Sequence, residues 1–173
     1  DASLYEREDG AKWVMSPPLR EKKDQDALWA GINQGLIQVV GTDHCPFTLE
    51  QKAMGKDNFA KIPNGHPAIE HRMEFMYSEG VRKGKISLNK FVEVTSTNAA
   101  KIFGMYPRKG TIAIGSDADL VIFDPAKEHV ISAETHHMNC DYSGYEGWKV
   151  TGKTETVLLR GNIAIENEEC LLK

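Results

Sequence analysis

The amino-acid sequence predicts an α/β fold over residues 1–105 and a β-rich portion over 106–173, on three observations. Leu36-Ile37-Gln38-Val39-Val40 is an apolar, β-branched run of the length expected for a buried parallel strand. A stretch with helical spacing precedes it and a shorter strand-like run precedes that, so the order is strand, helix, strand. After Tyr106-Pro107-Arg108-Lys109-Gly110 the texture changes to short strands and frequent turns.

In chain order, Lys12-Trp13-Val14-Met15 reads as a strand stopped by Ser16-Pro17-Pro18, because consecutive prolines cannot continue a ladder. Glu21 to Gly35 reads as a helix, with Ala27, Leu28, Ala30, Gly31 and Ile32 at helical spacing. Asp24 and Asp26 complement its dipole and Gly35 stops it. The strand 36–40 runs into Gly41-Thr42-Asp43-His44-Cys45-Pro46-Phe47. Thr48 to Gly65 reads as a long, partly ordered loop, a type that is commonly functional or disordered. Ala68 to Gly84 returns to helix through Ile69, Met73, Met76, Tyr77 and Val81, Ser87 caps a further helix, and Thr95 to Met105 continues helical. In the tail, Asp119 to Asp124 is a strand stopped by Pro125, followed by His129-Val130-Ile131 and Thr156 to Arg160. Gly161-Asn162 joins the last of these to Ile163-Ala164-Ile165 as a hairpin. Two strong parallel strands cannot bury both faces of a sheet, and the chain opens on Asp1 without a methionine. The expectation is that these strands pair with another chain or that the sequence is an excerpt of a longer polypeptide.

Composition narrows the function classes. Twenty-one Lys and Arg against 25 Asp and Glu give a net charge of -4 with no basic block, which argues against nucleic acid as the main partner. No apolar run approaches a membrane span. Cys45, Cys140 and Cys170 form no CxxC pair; the odd count points to reduced thiols and a cytoplasmic setting rather than a disulfide framework.

Asp43 is the leading candidate for chemistry. A carboxylate just past the carboxyl end of a buried strand stands where α/β barrels and open sheets place their active sites, and it could ligate a metal or move protons. The alternative is a capping or turn aspartate. His44 and Cys45 are expected to be a packed histidine and a buried thiol rather than further ligands. His136-His137 with Cys140 and Asp141 matches no zinc spacing and reads as a surface loop; His66 and His71 are expected to face solvent, and Met54, Met73, Met76 and Met105 to belong to the core. Ser16 and Asn64 sit on turns, whose backbones expose free N–H and C=O groups able to hold a planar cyclic amide or imide; each could equally be only a turn former.

Four segments appear in one order: Met15-Ser16-Pro17-Pro18-Leu19-Arg20, Gly41 to Phe47, Ile62-Pro63-Asn64-Gly65, and Gly110-Thr111-Ile112-Ala113-Ile114-Gly115 running on to Pro125. Together they resemble the C-terminal part of a dihydropyrimidinase or D-hydantoinase, in the cyclic amidohydrolase superfamily. The resemblance implies the last part of a TIM-like (β/α)8 barrel over 1–105, then part of a β-sandwich domain over 106–173. It implies ring-opening hydrolysis of a small cyclic amide, two divalent metal ions, usually zinc, and a tetrameric homo-oligomer. The family's ligands are an HxH pair, a carboxylated lysine, two further histidines and an aspartate, of which only Asp43 has a counterpart here; the others would lie upstream of Asp1. In that framework Asp43 is both metal ligand and proton shuttle. The main-chain groups of Ser16 and Asn64 hold the substrate. The chain departs from the family where His66-Pro67 replaces the further glycine of many relatives. The competing reading is a non-catalytic dihydropyrimidinase-like scaffold, which would have lost metal ligands; the retained Asp43 argues against it. A stand-alone small binding domain is a third reading, disfavoured by the unpaired strands.

Overall fold

Helix α1 (Lys22–Asn33) begins and ends on local chemistry. The Glu21 N–H donates to the Asp24 carboxylate at 3.0 Å, which satisfies one of the free donors of the first turn. At the other end Gly35 takes φ 76°, its N–H donating to Ile32 C=O at 3.1 Å while Leu36 N–H donates to Gly31 C=O at 2.9 Å. These are the paired bonds of a Schellman stop, which requires a left-handed residue at that position. The computed structural model describes residues 1–172, and these divide into two compact units.

The first unit comprises Asp1–Leu28, Thr42–Arg72 and Val130–Lys149. It is built mostly from turns and irregular segments, with 3-10 turns at Ala2–Glu6, Gly10–Trp13 and Phe59–Lys61 and the short helix α2 (Leu49–Ala53). Its interior is aromatic and polar. Trp13 is buried and donates from Nε1 to Gly144 C=O at 3.0 Å, and the buried Tyr142 donates from its hydroxyl to Lys12 C=O at 3.2 Å. The expected strand 12–15 is absent: Lys12 and Trp13 close a 3-10 turn, and the Val14 carbonyl takes Gly65 N–H and the Lys52 ammonium instead of a strand neighbour.

The second unit comprises Trp29–Gly41, Met73–His129 and Val150–Lys173. Its core is apolar: Ile32, Met76, Tyr77, Ile86, Phe91 and Val94, with Trp29, Met73 and Phe123 packed against them. The Tyr77 ring meets Phe123 edge-on at 5.0 Å and Phe91 at 6.0 Å, arrangements favoured by the aromatic quadrupole. The helical stretch expected over 68–84 runs as a 3-10 turn Ile69–His71, helix α3 (Arg72–Phe75) and a π-helical turn Met76–Val81. Ile69 is exposed, so the buried stripe starts only at Met73. Helix α4 (Leu88–Val92) is capped by the Ser87 hydroxyl, which accepts from Lys90 N–H at 3.1 Å, and a π-helical turn Glu93–Thr97 carries it into α5 (Asn98–Ile102). The run 36–40 opens on a bend at Leu36-Ile37 and belongs to no sheet among the described residues. Val40 N–H donates to Val94 C=O at 3.1 Å, and Leu36, expected inside, is exposed.

The tail forms a four-stranded sheet in the order β1 (Leu120–Val130), β2 (Lys149–Leu159), β3 (Asn162–Glu166), β4 (Glu169–Cys170). Pro125 does not stop β1, contrary to expectation. An edge strand tolerates proline because one row of its backbone groups has no ladder to lose, and β1 is the edge. Residues 129–130 therefore belong to the same strand. β2 and β3 pair antiparallel from Leu159↔Asn162 to Thr156↔Glu166 with an irregularity between Val157 and Leu158. The turn between them is Arg160-Gly161, one residue earlier than expected, with φ of 51° and 81°; a tight hairpin turn needs both residues left-handed. Residues on both sides of position 106 lie in the second unit, where Thr97 Oγ1 donates to Gly110 C=O at 2.8 Å.

Replacing Gly35 with alanine is expected to lower the unfolding free energy by about 1–2 kcal/mol, because a Cβ is strained at that φ. Denaturant unfolding checks it, and an unchanged midpoint would show that the helix stop does not need the left-handed residue.

Candidate active site

The segment 48–65, read in the sequence as a loop, contains the element that organises its neighbours. Thr48 and Gln51 form a reciprocal capping box: Thr48 Oγ1 accepts from Gln51 N–H at 3.2 Å and Gln51 Oε1 accepts from Thr48 N–H at 2.8 Å. Leu49 N–H donates to the Asp141 carboxylate at 2.9 Å. The first turn of α2 is thereby fixed, and it aims Lys52 inward. Lys52 is 2% exposed, and its ammonium donates to the carbonyls of Val14 at 2.8 Å, Pro63 at 2.7 Å and Gly65 at 2.8 Å. All three ammonium donors are used. The Phe47 ring lies 5.6 Å from Nζ. Burial pushes the ammonium down to about 8, partly offset by the Cys45 and Cys140 thiols, so it is still mostly charged at neutral pH.

Around this cation three loop segments are tied together. Gly65 N–H donates to Val14 C=O at 3.1 Å and Cys45 N–H donates to His66 C=O at 3.3 Å. The approach at Gly65 is close: a Cβ there would stand 2.3 Å from Cys45 O and 2.8 Å from the Phe47 ring. Ser16 and Asn64, far apart in sequence, meet here, with Ser16 Oγ donating to Asn64 Oδ1 at 3.2 Å. Among the described residues the main-chain N–H and C=O of Ser16 and of Asn64 have no hydrogen-bond partner, although Val14, Pro63 and Gly65 beside them do.

Asp43 takes φ 45°, a left-handed conformation that costs a non-glycine residue about 1–2 kcal/mol and that aspartate tolerates better than most. The residue is exposed, and its carboxylate makes no hydrogen bond or ion pair among the described residues. His44 is anchored by accepting from Ala68 N–H at 3.1 Å and Ile69 N–H at 3.3 Å on Nδ1, which leaves a neutral ring's proton on Nε2. Cys45 is exposed, not the buried thiol expected. No hydrogen bond joins Asp43 to Ser16 or Asn64 among the described residues.

His66 and His71, expected at the surface, are buried. His66 packs edge-on against Tyr145 at 5.1 Å, and its Nε2 has no partner. Burial first, then the Lys52 ammonium and the neighbouring His44 and His71, push it down to about 4, so it stays neutral. In the tract 136–141, His137 pairs with Glu70 at 2.9 Å, Cys140 Sγ donates to Phe47 C=O at 3.2 Å, and Asp141 caps α2. Among the described residues no group of three or more His, Cys, Asp or Glu side chains is placed to hold a metal ion. The donor set fits one oxygen ligand, Asp43, and not a complete metal centre.

Lys52 escaped the sequence reading. Nothing in composition separates it from Lys56 or Lys61; the readable signal was the Thr48-x-x-Gln51 capping pattern, which announces a helix inside the loop.

Residues 4–164 match the family described as the Amidohydrolase family, and the chain belongs to it. A D-hydantoinase from Geobacillus stearothermophilus is 54% identical over 162 residues, which cover 93% of this chain and 34% of that protein. A solved dihydropyrimidinase from Brevibacillus agri superposes with a TM-score of 0.96 at 56% identity, covering 99% of this chain and 38% of that one. An L-hydantoinase (dihydropyrimidinase) from Arthrobacter aurescens superposes with a TM-score of 0.92 at 35% identity, covering 99% and 38%. The chain spans about a third of the length of the curated relatives it matches. No helix among the described residues is long and apolar enough to cross a membrane.

Because the folded pKa of His66 lies below its unfolded value near 6.5, its contribution to stability is complete above pH 6.5 and is lost as pH falls toward 4. The full loss is about 3 kcal/mol. The unfolding free energy of the protein relative to His66→Gln, which has nothing to protonate there, should shrink by most of that amount between pH 7 and pH 4.5. A constant difference across that range would mean that His66 is protonated in the fold.

Proposed function

We propose that the protein carrying this chain opens the ring of dihydropyrimidines or hydantoins, hydrolysing the cyclic amide bond to give N-carbamoyl amino acids. The observation that carries this reading is the 54–56% identity, across nearly the whole chain, to a D-hydantoinase and a dihydropyrimidinase. The uncommitted Asp43 carboxylate and the free main-chain groups of Ser16 and Asn64 support it.

In this reading residues 1–105 are the last part of a TIM-like (β/α)8 barrel, and the run 36–40 takes its strand neighbours from the rest of the protein. Residues 106–173 are part of a β-sandwich. The sheet leaves Val121, Ile122, Ile163 and Ile165 exposed, which suits a second sheet packed on it. The active protein is a cytoplasmic homotetramer on this reading.

Two divalent metal ions, zinc in this proposal, supply Lewis-acid polarisation of the ring carbonyl and a water acidic enough to react near neutral pH. Asp43 is the ligand this chain provides; the others, including a carboxylated lysine, lie outside it. Ser16 and Asn64 hold the planar amide through main-chain N–H and C=O groups, which present donors and acceptors at fixed angles with no rotamer to order. As the water oxygen bonds to the ring carbonyl carbon, Asp43 takes one water proton. As the C–N bond breaks, it delivers that proton to the leaving nitrogen, which becomes the terminal NH2 of the carbamoyl group; the new carboxyl group keeps the water's second proton and gives it up to solvent as a carboxylate near neutral pH.

The zinc-loaded protein should therefore open dihydrouracil or hydantoin, and a folded, metal-loaded protein that opens neither would favour the scaffold reading. Asp43→Ala should lower kcat by at least about 100-fold with an unchanged circular dichroism spectrum. Near-normal turnover would exclude the shuttle role. The 173-residue chain alone should not turn over substrate, because a single carboxylate cannot hold two metals; purified chain that opens either ring would refute this.

A further inference from the structure

We propose that Lys52 is a positioning residue for substrate, holding the main-chain groups of Ser16 and Asn64 in the orientation that receives the cyclic amide. This rests on the function proposed above. The geometry is specific. Lys52 Nζ bonds the carbonyls of Pro63 and Gly65, the two residues that flank Asn64, and skips Asn64 itself. It bonds the Val14 carbonyl, two residues before Ser16, and Val14 also receives Gly65 N–H. The peptide that carries Asn64 N–H is thus held through Pro63 C=O and the one that carries Asn64 C=O through Gly65 N–H, and the chain before Ser16 is held at Val14, while the N–H and C=O of Ser16 and Asn64 themselves stay free. Neither segment has a helix or strand to set its direction, since 14–20 and 62–68 carry no regular structure. Rotation of a peptide about its neighbours would swing the free N–H and C=O away from a planar ligand, and three bonds to one buried cation oppose that rotation. Lys52 reaches the substrate only through these peptides, so its removal should act on binding more than on the chemical step.

The test uses the full-length, zinc-loaded protein with dihydrouracil and hydantoin. Lys52→Ala should raise KM by about 10- to 100-fold, the scale of one or two charge-assisted hydrogen bonds, with kcat changed by less than about threefold. Propylammonium, which supplies the deleted atoms, should restore KM in a dose-dependent way. Tetramethylammonium, equal in charge but without an N–H donor, should not. Lys52→Gln, with one amide donor group in place of three ammonium donors, should fall between Lys52→Ala and wild type. Zinc content and the unfolding midpoint are measured in each variant. An unchanged KM, a KM defect that propylammonium leaves in place, or a fall in kcat and zinc content together would overturn the proposal. Failure of both variants to fold would also overturn it, by making Lys52 a requirement of the fold and not of substrate orientation. A wild-type protein that opens neither ring would instead overturn the underlying function, an outcome distinct from active enzyme with indifferent variants.

Discussion

One buried ammonium governs the geometry of the first unit. A charge taken out of water is tolerated only where fixed partners replace its hydration, and Lys52 finds three in the carbonyls of Val14, Pro63 and Gly65. Those partners come from two segments that would otherwise be free turns, and the cation arrives on a five-residue helix too short to be stable alone. Each component is therefore conditional on the others. The capping box and the Asp141 contact hold the helix, the helix holds the cation, and the cation holds the turns.

The second unit is stabilised by different means. Ile32, Met76, Tyr77, Ile86, Phe91 and Val94 bury apolar surface, a non-directional force that specifies which residues are inside but few angles. The first unit buries Lys52, His66, His71, Trp13 and Tyr142, whose polar atoms impose directions. That difference follows the work proposed for each. A recognition site made of peptide groups needs orientations held to within a hydrogen bond's tolerance, and polar contacts supply them where apolar packing does not.

Elements whose determinants lie within a few residues were legible in the sequence. α1 with its Gly35 stop, the Ser87 cap and the hairpin near Gly161 all depend on local chemistry and stand about where that chemistry puts them. The strands expected at 12–15 and 36–40 do not form among the described residues, because a strand is defined by its neighbour and these residues offer none. Pro125 misled because whether it ends a strand depends on edge position, a property of the sheet. His66 and His71 misled because a polar residue is inferred to face water unless its partners are known; the tyrosine that covers both comes from position 145. For the candidate site, Ser16 and Asn64 were readable as turn formers, but their contact and the lysine behind them arise only in three dimensions.

Asp43 shows how these constraints converge on the chemistry. An aspartate at φ 45° is held against a local preference for other conformations, and such outliers persist only where the surroundings over-determine them. The residues just after it provide that over-determination: His44 is fixed by two N–H donors from 68–69, and Cys45 N–H is bonded to His66 C=O. The carboxylate is thus placed chiefly by the His44 anchor at Ala68 and Ile69, which does not pass through the buried ammonium. The groups proposed to hold the ring hang instead on Lys52, so the proton-moving group and the ring-holding groups have separate anchors, and a change at one can alter binding without altering the chemical step.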